Sequence, residues 1–514
     1  MLGGCMWKKF LNWAGKQLMR MADNNETKGF LENRISYWLA SEERKLQLLG
    51  ERYYVGDHDI LQKKRKVVGE GGELVEVTNL PNNIIVDNQY AKFVDQKKNY
   101  LLGQPISIDS EDEEYANQLK KVFNKKFHKI LKDLGEHCMN GGISWLSPYI
   151  VDGNIRFRAF PASEILPFWS NNAHSELLMA VRLYTEEKPN ARTPGDVIHK
   201  VELYSKEGID YFIWENFRLY PDTEKKHTNY LSVTQDGETT EYNWERIPLI
   251  PFKLNSKEIP LIKRVKSLQD AINYMESCHL DRTHEDAHNT ILVLENYDGE
   301  NLAEFRRNLA QYGAVKVRAV EGARGDLRTL MVEVDSENFE KVLYVLRKAL
   351  KDNIKGYDFS ELNNAAADPN QMNIKSILSD VDIDANDMET EYQAAFEDLL
   401  WFVNRHLGIS DDPEVDIIFN RDGIINEIEV VQMLVACGVK IPNKILLHQV
   451  PFIDDVEEAL DLLKEEEKEM LDAYGGAIAP AGDAGGVEKT ADQRNARPVK
   501  NAGGTVYGND EQRK

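Results

Sequence analysis

The feature that most constrains this chain is a change of hydrophobic period along its length. Apolar residues follow a helical spacing up to about residue 139, fall into short runs between turn signals from Ile143 to about Phe252, and return to helical spacing from Pro260. This order predicts an α+β fold, and no internal repeat is visible. The first helical stretch covers about 25–62, with Leu39, Leu46, Leu48 and Leu49 among charges, and Gly56 breaks it. A glycine-rich charged loop with Gly69, Gly71 and Gly72 follows. Tyr90, Phe93, Val94, Tyr100 and Leu101 suit a buried helix stopped by Gly103 and Pro105, and 111–139 reads as a second amphipathic helix. In the β region, Asp152-Gly153-Asn154 and Gln235-Asp236-Gly237 fit hairpin turns.

After Pro260 a long helical pattern leads into ILVLENY, a strand. A helix ending at Gly313 and the strands AVKVRAV and LRTLMVEV complete a small α/β module. A clean helix then begins at the capping Ser336 and ends at Gly356. The stretch 358–373 is a loop, 374–407 is again helical, and further helices occupy 424–472. Beyond Tyr474 the composition is Gly, Ala, Asp and Pro without a core pattern, which predicts a disordered tail.

Composition narrows the function. Lys and Arg total 63 against 86 Asp and Glu, a net charge of −23, which excludes a basic protein that wraps nucleic acid. It leaves room for one that meets DNA at a few points. The four cysteines, Cys5, Cys138, Cys278 and Cys437, form no CxxC pair, so neither a zinc ribbon nor a disulfide scaffold is indicated. No apolar run approaches the ~18 residues of a membrane span. Residues 1–24 carry Trp7, Phe10, Leu11, Ala14 and Leu18 at helical spacing, interrupted by Lys8, Lys9, Lys16 and Arg20; this reads as a helix that docks on a partner or neighbour. Basic residues gather at Lys253, Lys257, Lys263, Arg264 and Lys266, in the small module, and at Arg347, Lys348, Lys351 and Lys355, whereas 454–472 is acidic.

Two motifs point to metals. His284-Glu285-Asp286-Ala287-His288 is an HExxH, whose histidines at i and i+4 face one way on a helix with the glutamate as base. Its polar flanks and the absence of a further ligand context favour a solvated helix end; a zinc-dependent peptidase is kept as the alternative reading. Asp380, Asp382, Asp384 and Glu391 fill four positions of an EF-hand loop, but Ala385 stands where the turn needs glycine, which favours an acidic helix face. There is no GxxxxGK[ST], GxSxG or GxGxxG, so no cofactor is expected.

The order of parts resembles the portal proteins of tailed bacteriophages, in the form found in long-tailed phages and prophages of Gram-positive hosts. The likeness spans about 30–470 and rests on Tyr53-Tyr54-Val55-Gly56-Asp57-His58-Asp59-Ile60, Asn88-Gln89-Tyr90-Ala91-Lys92-Phe93-Val94-Asp95, Asn99 to Ile106, Phe160 to Pro167, Ala180 to Tyr184, Ile247 to Phe252 and Ser267-Leu268-Gln269-Asp270-Ala271. One departure is Gln371-Met372-Asn373, where many members carry Ser-Gly. The resemblance implies a non-enzymatic ring of about twelve copies at one capsid vertex, a channel through which double-stranded DNA is packaged and ejected. Its parts would be the wing at 25–257, stem helices at 258–288 and 336–357 around a clip at 289–335, a tunnel loop at 358–373, a wing helix at 374–410 and a crown at 411–472, with a tail at 473–514. Asn363, Asn364, Asp368, Asn370, Gln371 and Lys375 would face DNA, without sequence specificity, and Arg306, Arg307, Lys316, Arg318, Arg324 and Arg328 would meet partners at the clip. The implied partners are other copies, the terminase motor, a head-completion connector, and the scaffolding and major capsid proteins, with no membrane. The implied place is the virion, after synthesis in the bacterial cytoplasm.

Overall fold

The computed structural model describes residues 25–68, 72–188, 196–235, 238–286, 291–295, 326–330, 336–358, 371–409, 413–421, 460 and 462–465. The chain divides into two compact units, Met1–Asn426 and Glu427–Lys514. Of the second, the described residues are helical at 460 and 462–465. The N-terminal amphipathic segment, most of the small module, 359–370 of the predicted loop, most of 422–472 and the tail lie outside the described residues.

The first helical stretch is two helices, α1 (Asn25–Ala40) and α2 (Glu42–Tyr54), not one. Ser41 causes the break: its hydroxyl accepts from the Arg44 amide at 3.2 Å and donates to the Trp38 carbonyl at 2.7 Å. After α2 the chain turns at Gly56, whose φ of 88° favours glycine. A short ribbon follows, β1 (Lys66–Val68) against β2 (Leu74–Glu76), and then α3 (Gln89–Leu102) and β3 (Ser107–Asp109). The helix predicted over 111–139 is likewise two, α4 (Glu113–Val122) and α5 (Lys125–Gly141). Here Asn124 captures the amides of Lys126 and Phe127, starting a new helix where the old one ends.

The β region follows as expected. Strands β4 (Ile143–Val151) and β5 (Asn154–Pro161) form a hairpin whose turn residues Asp152 and Gly153 both take positive φ, the mirror-image turn that matches strand twist. Next come β6 (Ile165–Trp169), β7 (Leu177–Glu187), β8 (Val197–Ser205), β9 (Gly208–Glu215), β10 (Arg218–Pro221) and β11 (His227–Thr228), an antiparallel sheet ordered β10-β9-β8-β7-β6 with β11 on β9. One face of that sheet buries Leu166, Phe168, Val181, Leu203 and Trp214 against Leu31, Ile35 and Trp38 of α1. The ribbon β12 (Leu231–Gln235) with β13 (Glu238–Tyr242) precedes β14 (Ile250–Lys253), which joins β4 and β5.

Beyond it run α6 (Ile262–Asp286), the strand pair β15 (Ile291–Glu295) and β16 (Asp326–Leu330), α7 (Ser336–Ile354), α8 (Gln371–Leu407) and β17 (Asp416–Ile418). The main core gathers α3, α5, β14 and α8: Phe127, Phe396, Phe252 and Tyr392 follow one another in an edge-on chain with successive ring centres 6.1, 5.8 and 4.9 Å apart. β17 pairs with β3, so residues 416–418 belong to this body. α8 begins three residues earlier than its periodicity predicts. Gln371 therefore lies on a helix rather than at the end of a loop.

Candidate functional site: the long helix pair and its anchorage

Helices α6 and α7 lie side by side. Phe339 stacks on His279 with ring centres 3.8 Å apart, and Arg347 Nη2 reaches Glu276 at 2.7 Å. Rising numbers on α6 meet falling numbers on α7, so the pair is antiparallel. The β15–β16 pair, with Ile291 opposite Leu330, links their far ends.

One side of α6 carries Gln269, Asn273, Ser277 and Asp281, all fully buried. Their spacing of four puts them in one row. Each accepts from a backbone amide of the segment leading into α3: Asp281 from Asn83 at 2.6 Å, Ser277 from Ile85 at 3.0 Å, Asn273 from Asp87 at 3.0 Å and Gln269 from Tyr90 at 2.9 Å. The match is geometric. Four helical residues advance about 6.0 Å and two extended residues about 6.6 Å, so the alternate amides of Asn83, Ile85 and Asp87 meet successive rungs, and the fourth donor, Tyr90, lies three residues on in the first turn of α3. A segment with no sheet partner among the described residues thereby has these backbone donors satisfied.

The rungs are locked from outside. Lys63 Nζ lies 2.5 Å from Asp281, and the Asn83 side chain adds a donor at 2.9 Å. Burial alone would raise the Asp281 carboxyl, but these donors outweigh it and hold it below the ordinary carboxylate range. Asn273 Oδ1 accepts from both Asp87 and Gln269, so its Nδ2 must donate to His58 Nδ1, at 2.7 Å. His58 is then neutral with its proton on Nε2, which donates to the Tyr53 carbonyl at 2.9 Å. Burial depresses its pKa in the same sense. Tyr53 stacks on His58 and donates to Asp270 at 2.6 Å, and Lys266 bridges Asp270 and Asp59. Asp87 and Glu276 share Arg347, which ties α7 to the same segment.

A second anchorage lies at the other end of the pair. Asp384, in the middle of α8, is met by Lys97 of α3 at 2.8 Å, Arg264 of α6 at 3.2 Å and Lys355, just beyond α7, at 3.0 Å. Burial pushes the carboxyl up, but three cations outweigh burial and hold it at about 2. Lys97 moves the other way: burial lowers it, and Arg264 and Lys355 repel it. The Asp384 carboxyl is ionised because three cations surround it. Nearby, Arg421 Nη1 reaches Asp382 at 2.8 Å and Arg421 Nη2 reaches Glu389 at 2.8 Å, and Tyr100 donates to Asp382.

These contacts decide one motif and bear on another. The Asp380-to-Glu391 stretch is continuous helix whose acids Asp382 and Asp384 are taken by protein cations, so its residues do not wrap a calcium ion as an EF-hand loop would. His284 lies exposed in the last turn of α6, its Nδ1 3.1 Å from the side-chain Nδ2 of Asn83, while His288 lies outside the described residues. Among the described residues no group of His, Cys, Asp and Glu is placed to hold a metal, and no helix is long and apolar enough to cross a membrane. Of the residues expected to face DNA, Gln371 and Lys375 lie on the first turns of α8; Asn363, Asn364, Asp368 and Asn370 lie outside the described residues. Of the basic residues expected at the clip, Arg328 is on β16 opposite Val293; Arg306, Arg307, Lys316, Arg318 and Arg324 lie outside the described residues. The sequence does not single out the four rungs as a group, although a polar residue every fourth position on an otherwise amphipathic helix is a signal that could have found them.

Residues 40–472 match the family model described as phage portal protein, SPP1 Gp6-like. The chain is 26% identical over 472 residues to the portal protein of Bacillus phage SPP1, covering 89% of this chain and 90% of that one. It is 24% identical over 449 residues to the portal protein of Clostridium phage phiCD119, covering 84% and 94%. The matched range takes in both anchorages and all three long helices, and this chain belongs to the SPP1 Gp6-like family of phage portal proteins.

Proposed function

We propose that this protein forms a closed ring at one capsid vertex, a channel through which double-stranded DNA enters during packaging and leaves on ejection. The observation that carries the reading is the family match running unbroken through the body, the helix pair and the long helix α8. In this reading 25–257 is the wing, α6 and α7 form the stem within 258–288 and 336–357, 289–335 is the clip and 411–472 the crown. The clip, with Arg306, Arg307, Lys316, Arg318, Arg324 and Arg328, docks the packaging motor and then the connector. The segment 358–373, with Asn363, Asn364, Asp368 and Asn370, lies against DNA, as do Gln371 and Lys375 on the first turns of α8. Capsid and scaffolding proteins surround the wing.

The charge supports a channel over a clamp. Each Lys or Arg on a phosphate strengthens non-specific binding and resists sliding. A chain with a net charge of −23 keeps that friction low. Negative-stain electron microscopy of the purified protein tests the reading: rings with a central hole are expected, and monomers or solid particles overturn it.

A further inference from the structure

Two tight hairpins of the body turn through a pair of positive φ angles, and they use different residues. At Asp152-Gly153 the second turn position is glycine. At Asn216-Phe217, which joins β9 to β10 with Arg218 opposite Glu215, φ is 51° and 61°, and the second position is phenylalanine. Asparagine tolerates that conformation; a bulky residue does not, because its Cβ crowds the following carbonyl oxygen. Packing within the chain does not offset the strain. Phe217 is 74% exposed, and its ring meets Trp214 only edge-on, with centres 6.5 Å apart. An exposed aromatic ring held at a hairpin tip against the preference of the backbone marks a contact with another molecule.

A socket lies at the far corner of the same sheet. The tip belongs to the edge strand β10 and to the strand ends where β7 leads to β8. The other edge is β6, and at the other strand ends, where β6 turns into β7 and β8 into β9, a cavity of about 490 Å³ opens. Its apolar lining is Trp169, Leu177, Ile247, Leu249, Pro251 and Phe402, and the exposed Ser175 and Lys206 stand at its rim. A concave site of that size with aromatic and aliphatic walls suits an aromatic ring. A copy does not fill its own cavity. Four strand spacings of about 4.8 Å and about seven residues of about 3.3 Å separate tip and cavity along the sheet. They also lie on opposite faces: Phe217 touches Trp214 on the α1 face, and Trp169 packs on the other. Charge does not oppose a meeting, since Glu215 and Arg218 stand opposite each other at the tip, and Lys206 with Glu176 and Arg246 with Asp398 pair at the rim. Two unlike features at opposite corners of one unit meet head to tail, the kind of contact that closes a ring by rotation.

We propose that Phe217 of each copy inserts into the cavity between Trp169 and Phe402 of the next copy. The inference rests on the ring reading above, and its tests separate the two. Phe217→Gly restores the residue this turn prefers. Below the concentration at which rings form, its unfolding temperature is expected to be no lower than that of the native protein. At assembling concentration the free monomer fraction in sedimentation is expected to rise at least tenfold. An unchanged monomer fraction overturns the contact, and so does a lower unfolding temperature, because the ring would then serve its own fold. Placement is read by a cysteine pair on exposed positions beside tip and cavity, Arg218→Cys with Ser175→Cys, in the full-length protein under mild oxidation. A ladder of covalent multimers is expected on a non-reducing gel, at least tenfold above either single variant, and is lost when Phe217→Gly is added. Rings in the microscope without that ladder overturn the placement while leaving the ring intact; absence of rings in the unaltered protein overturns the ring itself.

Discussion

Replacing Asp281 by alanine is expected to release the segment 82–85 from α6 while leaving the main core folded. In the native protein the Asp281 carboxylate is fully buried and accepts from Lys63 at 2.5 Å, from the Asn83 amide at 2.6 Å and from the Asn83 side chain at 2.9 Å. The substitution leaves a nearly buried ammonium without its counter-charge, with only the Asn83 carbonyl at 3.0 Å to accept from it, and a backbone amide without its acceptor. Breaking a buried pair from one side costs about 3–5 kcal/mol, and at 1.36 kcal/mol per tenfold the lower figure is a factor of about 150 in the local opening equilibrium. Hydrogen exchange followed by mass spectrometry on peptides spanning 80–90 reads this directly, because each rung protects one identified amide. Two milder variants set the scale. Asp281→Asn keeps an acceptor for Asn83 and is expected to raise exchange about tenfold, and Ser277→Ala, which removes one neutral bond, about fivefold and chiefly at Ile85. If Asp281→Ala leaves exchange at Asn83 and Ile85 within about twofold of the native rate, the ladder is not what holds the segment, and the reasoning fails.

Three further outcomes follow from the charges. His58 is held neutral, so its pKa in the fold lies below the unfolded value of about 6.5; the stability it contributes is complete above that value and falls as pH drops from there toward the folded pKa. Urea unfolding of His58→Gln should lack that slope below about pH 6.5, and an identical slope in variant and native protein refutes the assignment. Asp384, held at about 2 against an ordinary 3.8, contributes stability that is complete above about pH 4 and lost between about 4 and 2; Asp384→Asn should unfold at lower urea at pH 7 and lose that acid-range dependence. Ring assembly of so acidic a chain should strengthen with added salt or a divalent cation, and equal ring yield from low to high salt in sedimentation would count against charge as the brake on assembly.

Much of the fold is legible in the sequence because period and turn chemistry act locally. The hairpin at Asp152-Gly153 and the helices ending at Gly56 and beginning at Ser336 fall where their residues direct. The two misread helices fail for one reason: a cap is a competition between a side chain and the helical backbone. At Ser41 and Asn124 the amphipathic pattern runs straight through the residue that wins that competition. The anchorages are harder to read, since Lys97 and Asp384 lie 287 residues apart and Asn83 and Asp281 lie 198 apart. What the motif text did carry was their location. Tyr53, His58, Gln269 and Asp270 lie in the stretches by which the chain resembles its family, and they prove to be neighbours around the foot of α6.

A polar seam suits this place better than an apolar one for a mechanical reason. Apolar packing is tolerant along a helix axis, because one methyl group replaces another after a small slide. The ladder is not tolerant. Moving α6 by one residue, about 1.5 Å and 100° of rotation, breaks all four rungs together and takes the acceptors from the amides of Asn83, Ile85, Asp87 and Tyr90. The Asp384 cluster pins the opposite ends, Arg264 near the start of α6 and Lys355 just past the end of α7, to the middle of α8. The helix pair is therefore keyed to the body at two points along its length, in axial position as well as in contact. In the proposed ring, a load directed along the helix axes would meet the direction in which an apolar seam is weakest and a register-specific one strongest.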